Sequence, residues 1–379
     1  MPKNILYLIG GGEIGGAEIH ILGLINNLDR NNYSPYLGYL IKNGPLATDP
    51  RLRHTPSKLF SMHFPADISP LPSLIKYCKK NSISLIHAHG IRANLLGRLT
   101  AQILKIPCIS TIHSDPAYDY PASWKGRLAL FTETLTLPLS SGLITVSNSI
   151  RKNYSVRIPL LNSLNFPIQT IYNCCPPICT VDNISLRNNF RMKWNISQDS
   201  IVVGTIGRLH RVKGQIYLIK ALIALVSKIP HIHFVLVGEG ILYKELHQIL
   251  DSSNLPYTMT GFLSDAKSAL PALDVFVLPS LSEGMGIVLL EAMQAAIPIV
   301  ASDTGGIAEL LNNNIDSLLT PPGDIHELEN AIYKISSDSE LSQKLTSNAK
   351  KRVISFSLER MLSETQNFYY QILNPKLSS

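Results

Sequence analysis

Short apolar runs alternate along this chain with stretches whose apolar residues recur three and four positions apart. The runs read as buried strands and the longer stretches as helices with one apolar face. Ile5–Ile9 is the first strand, Ala17–Leu28 the first helix and Pro35–Ile41 the second strand. The pattern then gives a helix over Leu71–Lys80, a strand over Ser84–His87, a helix over Ala93–Leu104 and a strand over Pro107–His113. Ser123–Leu139 reads as a helix, with Trp124, Lys125, Arg127 and Phe131 on it; such a stretch can lie on a membrane, but facing a core is the commoner use. Strands at Gly142–Val146 and Gln169–Tyr172 close the first half. Repeated strand–helix order predicts a doubly wound α/β domain.

Periodicity is lost between Asn173 and Asp199, where Pro176-Pro177 stands, and this stretch reads as a linker. The pattern then restarts. Strands are predicted at Ile201–Ile206, His233–Val237, Tyr257–Thr260, Val275–Leu278 and Pro298–Ala301. Helices are predicted at Gln215–Ser227, Tyr243–Asp251, Asp265–Leu273, from Gly284 to about Ala296, around Glu309, and at Glu327–Ser336 and Glu340–Val353. A last helix, Phe356–Leu373, is amphipathic and is expected to cross back to the first domain. The expected fold class is α/β, with two Rossmann-like doubly wound domains facing across a cleft. The expected bounds are 1–175 for the first domain, 176–199 for the linker, 200–355 for the second domain and 356–379 for the returning helix. A chain of 379 residues suits two cores, since single cores rarely grow past about 250–300 residues.

Composition adds exclusions. No apolar run approaches the ~18 residues of a membrane-spanning helix. The strand begins directly after Met-Pro-Lys-Asn without the pattern of a signal peptide, so a cytoplasmic location is expected. The five cysteines form no CxxC pair, and Cys174-Cys175-x3-Cys179 has no nearby ligand to complete a zinc site; free thiols are expected. Charge is uneven. Residues 1–175 hold 17 Lys and Arg against 8 Asp and Glu, while residues 176–379 hold 17 against 19. A basic first half suits an anionic substrate or the anionic cytoplasmic face of a membrane. No motif of basic residues with interleaved aromatics is present, so nucleic acid is not an expected partner.

Candidate chemistry gathers where strands end. Gly284 and Gly286 open a helix just after the strand at Val275–Leu278, with Glu283 at its mouth and Glu291 two turns on. Free backbone N–H groups and the positive helix end make such a place an anion site. Arg208 and Lys213 put two cations on the loop Gly207–Gly214. Together they suit a diphosphate whose charge grows as a bond to it breaks. Glu291 can accept from a sugar diol such as ribose, and Glu283 from the hydroxyls of a second sugar. No Asp-x-Asp pair stands at a strand end, so no metal clamp is expected. Gly10-x-Gly12-x-x-Gly15 fits a dinucleotide fingerprint, but the second strand ends at Lys42-Asn43 without the acidic residue that NAD requires. His87 and His89 alternate across a strand end and are expected to be packed. His113 stands at the carboxyl end of its strand, where open α/β sheets bind ligands, with Asp115 and Asp119 nearby.

These motifs, in order, carry a resemblance. Gly15-Gly-Ala-Glu18, Gly204-x-x-Gly207-Arg-Leu-x3-Lys213-Gly214, Val237-Gly-x-Gly240, Thr260-Gly261-Phe262, Glu283-Gly-x-Gly-x4-Glu291 and Asp303-x-Gly305-Gly306-x2-Glu309 resemble the retaining glycosyltransferases of family 4, which have the GT-B fold. The likeness spans nearly the whole chain and is densest over 201–323. It implies transfer of a sugar from a nucleotide-sugar donor, carrying UDP or GDP, with retention and without metal or other cofactor. It implies Arg208 and Lys213 on the donor diphosphate, Glu283 on the sugar and Glu291 on the ribose. The amides of Gly284, Met285, Gly286 and Ile287 would face sugar and phosphate. Gly238, Glu239, Gly261 and Phe262 would border the base, Gly207 would shape the phosphate loop, and Gly15 and Gly16 would approach the phosphates. His113 would lie near the anomeric centre. The family usually has Gly after Tyr172-Asn173, where this chain has Cys174. A sugar or lipid-linked acceptor is expected, on a protein that is cytoplasmic or peripheral on the membrane's cytoplasmic face. The alternatives are a nucleotide-sugar epimerase on the same fold and a nucleotide-sugar-binding protein without transfer.

Overall fold

The computed structural model describes residues 1–12, 15–115, 124–158, 166–175 and 183–375. Asp119, Cys179 and the Pro176-Pro177 pair lie outside the described residues. The chain divides into two units: Met1–Cys174 with Leu358–Ser379, and Cys175–Ser357.

The first unit is built on seven parallel strands: β1 (Lys3–Ile9), β2 (Tyr33–Tyr39), β3 (Ser57–Leu59), β4 (Ile83–His89), β5 (Cys108–Ile112), β6 (Gly142–Thr145) and β7 (Ile168–Thr170). Their order in the sheet is β3-β2-β1-β4-β5-β6-β7. The central strand β1 is apolar from Ile5 to Ile9 and wholly buried there, because helices cover both faces of the sheet. Strand order reverses between β1 and β4, so the crevice beyond their carboxyl ends is a topological switch point.

Helices α1 (Gly16–Asn27), α2 (Leu71–Lys80), α3 (Ile91–Leu104), α4 (Trp124–Thr136) and α5 (Asn148–Arg157) connect these strands. α1 packs on one face with the returning helix α13 (Leu358–Leu373), through Ile21, Leu24, Met361 and Phe368. α2 and α3 pack on the other face through Leu74, Cys78, Leu95 and Leu96. Tyr369 anchors α13: its hydroxyl stands 2.6 Å from His87 Nδ1 and donates to the Tyr7 hydroxyl at 3.0 Å.

α4 departs from the expected core-facing helix. Trp124, Phe131 and Leu135 turn outward, whereas Ala129 and Glu133 turn inward. The cause is Arg98 of α3, which is fully buried. Arg98 makes a fork to both carboxylate oxygens of Glu133, at 2.8 and 3.1 Å, and donates to Ser140 and Thr136 at 2.8 and 3.0 Å. A buried guanidinium requires this shell of acceptors, so α4 must present its polar residues to the interior.

The second unit has six parallel strands: β8 (Ile201–Ile206), β9 (Ile232–Val237), β10 (Tyr257–Gly261), β11 (Val275–Leu278), β12 (Ile299–Ser302) and β13 (Leu318–Thr320). Their order is β10-β9-β8-β11-β12-β13, with the switch point between β8 and β11. Leu218, Leu222, Phe234, Leu246, Val277 and Ile332 belong to its core. Its helices are α6 (Asn183–Lys193), α7 (Gln215–Leu225), α8 (Tyr243–Asp251), α9 (Ile287–Gln294), α10 (Ile307–Leu310), α11 (Ile325–Ser337) and α12 (Ser339–Arg352).

Part of the expected linker is therefore structured. α6 holds Arg191, fully buried, which bonds Ala272 O at 2.9 Å and Asp274 Oδ2 at 2.8 Å. The helix is polar overall and fixed by this arginine, which hides it from an apolar-period reading. Ala266–Ala272 is a 3-10 helix rather than an α-helix, with Pro271 inside it. Helix α5 and the three-residue edge strands β3 and β13 were not legible, being too polar or too short.

Removing Arg98 should leave the Glu133 carboxylate buried and unbalanced. Arg98→Met is expected to lose about 3–5 kcal/mol in urea unfolding, and Arg98→Met/Glu133→Leu to recover much of it. A single-variant loss below about 1 kcal/mol would contradict this role.

Candidate active site

Five loops, after β8, β9, β10, β11 and β12, meet at the carboxyl edge of the second sheet. The first leaves β8 at Gly207, whose N–H donates to Val237 O at 3.0 Å; Leu209 N donates to Glu239 O at 2.8 Å. These bonds join the loops after β8 and β9. Buried Gln215 at the start of α7 donates to the Arg208 carbonyl at 2.9 Å, which fixes the backbone while the Arg208 side chain stands exposed.

The β8 loop then presses onto the end of β11. Gly214 has φ +65°, and a Cβ there would lie 2.0 Å from Pro279 O. Leu281 N donates to Val212 O at 2.8 Å. From the other side comes the loop after β12. Gly306 N donates to Glu283 O at 3.0 Å, and a Cβ on Gly306 would lie 1.9 Å from Gly284 O. Only glycine permits both approaches.

This packing brings the predicted charges together. Lys213 Nζ stands 2.5 Å from Glu283 Oε2, and the hydroxyl of fully buried Ser280 donates to the same oxygen at 3.2 Å. Glu283 is thus held at the mouth of α9. Gly286, at φ +73°, precedes α9 and supplies no side-chain cap. The helix opens with backbone donors and the positive end of its dipole beside Lys213. Met285 and Ile287 are buried, so this segment offers an incoming ligand main chain rather than side chain.

Glu291 lies further along α9 and is half-buried. Burial pushes its carboxyl up to about 7; Lys267 lowers it and Asp265 raises it. Glu239 and Phe262 are exposed at the ends of β9 and β10. Gly261 takes φ +69°, 3.4 Å from Glu239 Oε1 by its notional Cβ, so the loops after β9 and β10 also touch.

The first unit has its own cluster at its switch point. Gly15 caps α1 without a side chain, and its N–H donates to Glu18 Oε2 at 3.1 Å; Gly16 starts the helix. Residues 13–14 of the glycine loop lie outside the described residues. His113 Nε2 is 2.9 Å from His89 Nδ1, and His20 meets the His113 ring edge-on at 5.0 Å. His20 Nδ1 is held by Asn173 Oδ1 at 2.9 Å. His87 and His89 share one face of β4, with ring centroids 4.1 Å apart, rather than alternating across it. A strand repeats every two residues, so positions i and i+2 point the same way. His87 is fixed between the Tyr369 and Thr111 hydroxyls.

Burial lowers His20 to about 4 and holds His87, His89 and His113 well below the usual imidazole range; neighbouring rings add to the shift in the last three. The cluster is therefore four neutral imidazoles. Among the described residues no group of His, Cys, Asp or Glu is placed to hold a metal ion. His20 was missed in the sequence; its one signal was an imidazole at a core position of an apolar helix. Asp115 points at α5, where Arg157 and Asn153 donate to it at 2.7 and 3.0 Å. Cys78, Cys108, Cys174 and Cys175 are buried, and burial pushes the first two thiols up to about 12.

Two Rossmann-like units, the second with a glycine-walled cationic loop at its switch point, define a GT-B architecture. Family comparison agrees. Residues 187–352 match the family described as Glycosyl transferases group 1, and residues 14–174 the family described as Glycosyltransferase Family 4. The chain belongs to the glycosyltransferases of GT-B type. It is 25% identical over 316 residues to the UDP-Gal:alpha-D-GlcNAc-diphosphoundecaprenol alpha-1,3-galactosyltransferase of Escherichia coli, covering 81% of this chain and 80% of that one. It is 26% identical over 375 residues to an uncharacterized glycosyltransferase of Methanocaldococcus jannaschii, covering 94% of each. The fold is shared with Anabaena HepE in complex with UDP-glucose, at a TM-score of 0.81 and 23% identity over 97% of this chain and 99% of that one.

The raised Glu291 pKa has a stability consequence. The folded state keeps a proton that the unfolded chain releases near 4.5, so stability falls as pH rises from about 4.5 to about 7. Glu291→Gln is expected to match the wild type at pH 4 and to melt higher at pH 8. Equal differences in melting temperature at both pH values would contradict this.

Proposed function

We propose that this chain transfers a sugar from a nucleotide-diphosphate-sugar donor to a hydroxyl acceptor, with retention at the anomeric carbon and without a metal. The observation that carries this reading is the Lys213–Glu283 pair at the opening of α9, with the exposed Arg208 on the same loop as Lys213. An ammonium has three donors, so Lys213 can hold Glu283 and a phosphate oxygen together. Arg208 adds a planar fork for the diphosphate, and the α9 amides a third set of donors. Their positive charge takes the place that a metal holds in other phosphate sites. HepE in complex with UDP-glucose, on the same fold, supports a nucleotide-sugar donor.

Glu283, aimed by Lys213 and Ser280, accepts from hydroxyls of the donor sugar. Glu291 accepts from the ribose diol, and the loops with Gly238, Glu239, Gly261 and Phe262 border the base. Of the first unit, Gly15, Gly16 and His113 are the residues that the family likeness assigns to the reaction. The bond from that carbon to the phosphate oxygen breaks as the acceptor oxygen bonds the same face. The acceptor's proton passes to the departing phosphate oxygen, and a nucleoside diphosphate leaves. Asp115 is committed to Arg157 and Asn153, which disfavours it as a carboxylate nucleophile and supports this front-face route. The acceptor is a lipid-linked or polysaccharide precursor; the name of the Escherichia coli relative, with its diphosphoundecaprenol acceptor, supports that class.

Arg208→Ala, Lys213→Ala and Glu283→Ala should each lower turnover about 10²–10³-fold, the cost of one lost transition-state contact, with melting temperature little changed. Turnover is read as nucleoside diphosphate released from UDP- and GDP-sugars with EDTA present, and the product's anomer by NMR. Near-normal turnover in all three variants, or an inverted product, would overturn the assignment.

A further inference from the structure

We propose that the face of the first unit made by α2, α3, α4 and α5 docks the protein on an anionic lipid bilayer, with Trp124, Phe131 and Leu135 entering its interface. The first ground is the inversion of α4. At 100° per residue these three side chains fall within about 40° of one another around the helix, and they are 68%, 63% and 63% exposed. The inward stripe holds Ala129, Glu133 and Thr136. A surface helix ordinarily buries its apolar stripe and exposes its polar one. Here the need to satisfy Arg98 takes Glu133 and Thr136 inward and leaves the large apolar residues outside. An outward stripe of this kind suits a helix lying in the headgroup region, where a tryptophan is favourably placed.

The second ground is charge. The only acidic residue on α2 to α5 is Glu133, and it is buried against Arg98. The exposed charges are all basic: Lys76, Lys79 and Lys80 on α2, Arg127 on α4, and Arg151 and Lys152 on α5. The opposite face is not one-signed, since α1 carries Glu18 and α13 carries Glu359 and Glu364. These four helices belong together. α2 and α3 share one core, Arg98 of α3 grips α4, and α5 packs on β6 and β7, which follow β5 in the sheet. Anionic headgroups attract such a surface, and the apolar stripe fills the hydrocarbon boundary beneath them. Duplex nucleic acid would meet the charges but offers nothing to three large apolar side chains, so lipid is favoured.

Binding is read without donor or acceptor, so a failure here would leave the transfer reading untouched. The chain has two tryptophans, and the full-length Trp194→Phe variant keeps Trp124 as the only one, read by selective tryptophan excitation. Vesicles of phosphatidylcholine with about one-third phosphatidylglycerol should shift its emission to the blue and carry the wild-type protein down on centrifugation; ~0.5 M salt should release it. Pure phosphatidylcholine should do neither. Arg151→Gln/Lys152→Gln should weaken partitioning about 25-fold, roughly fivefold per charge removed. Phe131→Ser/Leu135→Ser should abolish sedimentation with circular dichroism unchanged. No sedimentation of the wild type with anionic vesicles, equal binding to neutral ones, or stronger binding to a duplex oligonucleotide would overturn the proposal.

Discussion

Close approach of backbones at one sheet edge governs the candidate site. Gly214 lies against the Pro279 carbonyl and Gly306 against that of Gly284, at distances no side chain tolerates. These contacts draw the loops after β8 and β12 onto the loop after β11. The charged groups follow from that packing: Lys213 reaches Glu283 because its loop cannot sit elsewhere, and α9 opens beside them. A preorganised site needs such support, because donors that must move to meet a developing charge stabilise it poorly.

The two units solve different problems at their switch points. The second gathers cations, a carboxylate and a helix N-terminus, which suits an anion. The first gathers neutral imidazoles around His113, with His89 directly bonded to it and Tyr369 of the returning helix supporting His87. Buried, hydrogen-bonded rings keep their orientation. The C-terminal helix thereby joins the architecture behind His113, so its anchoring matters beyond stability.

The strand–helix order, the glycine loops and the two cations were legible because buried parallel strands are uniformly apolar and strand ends carry turn residues. Helix α6 looks like linker in the sequence because a single buried arginine, Arg191, rather than an apolar stripe, holds it. α4 looks core-facing in the sequence because periodicity reports which residues share a face and not which way that face points; Arg98 decides the direction. The pairing of Lys213 with Glu283 and the place of His20 beside His113 are long-range facts, separated in sequence by 70 residues in the first case. No local pattern encodes them.

The most direct measurement is thermal melting of the wild type and of Lys213→Ala with UDP, GDP, ADP and their sugar conjugates, with EDTA throughout. A ligand that binds only the folded state stabilises it by about 2.7 kcal/mol at a hundredfold excess over Kd. A clear rise with one nucleotide family in the wild type, lost in Lys213→Ala, is the expected result. No rise with any of them, or a rise that Lys213→Ala retains in full, would contradict a metal-free diphosphate grip at the opening of α9.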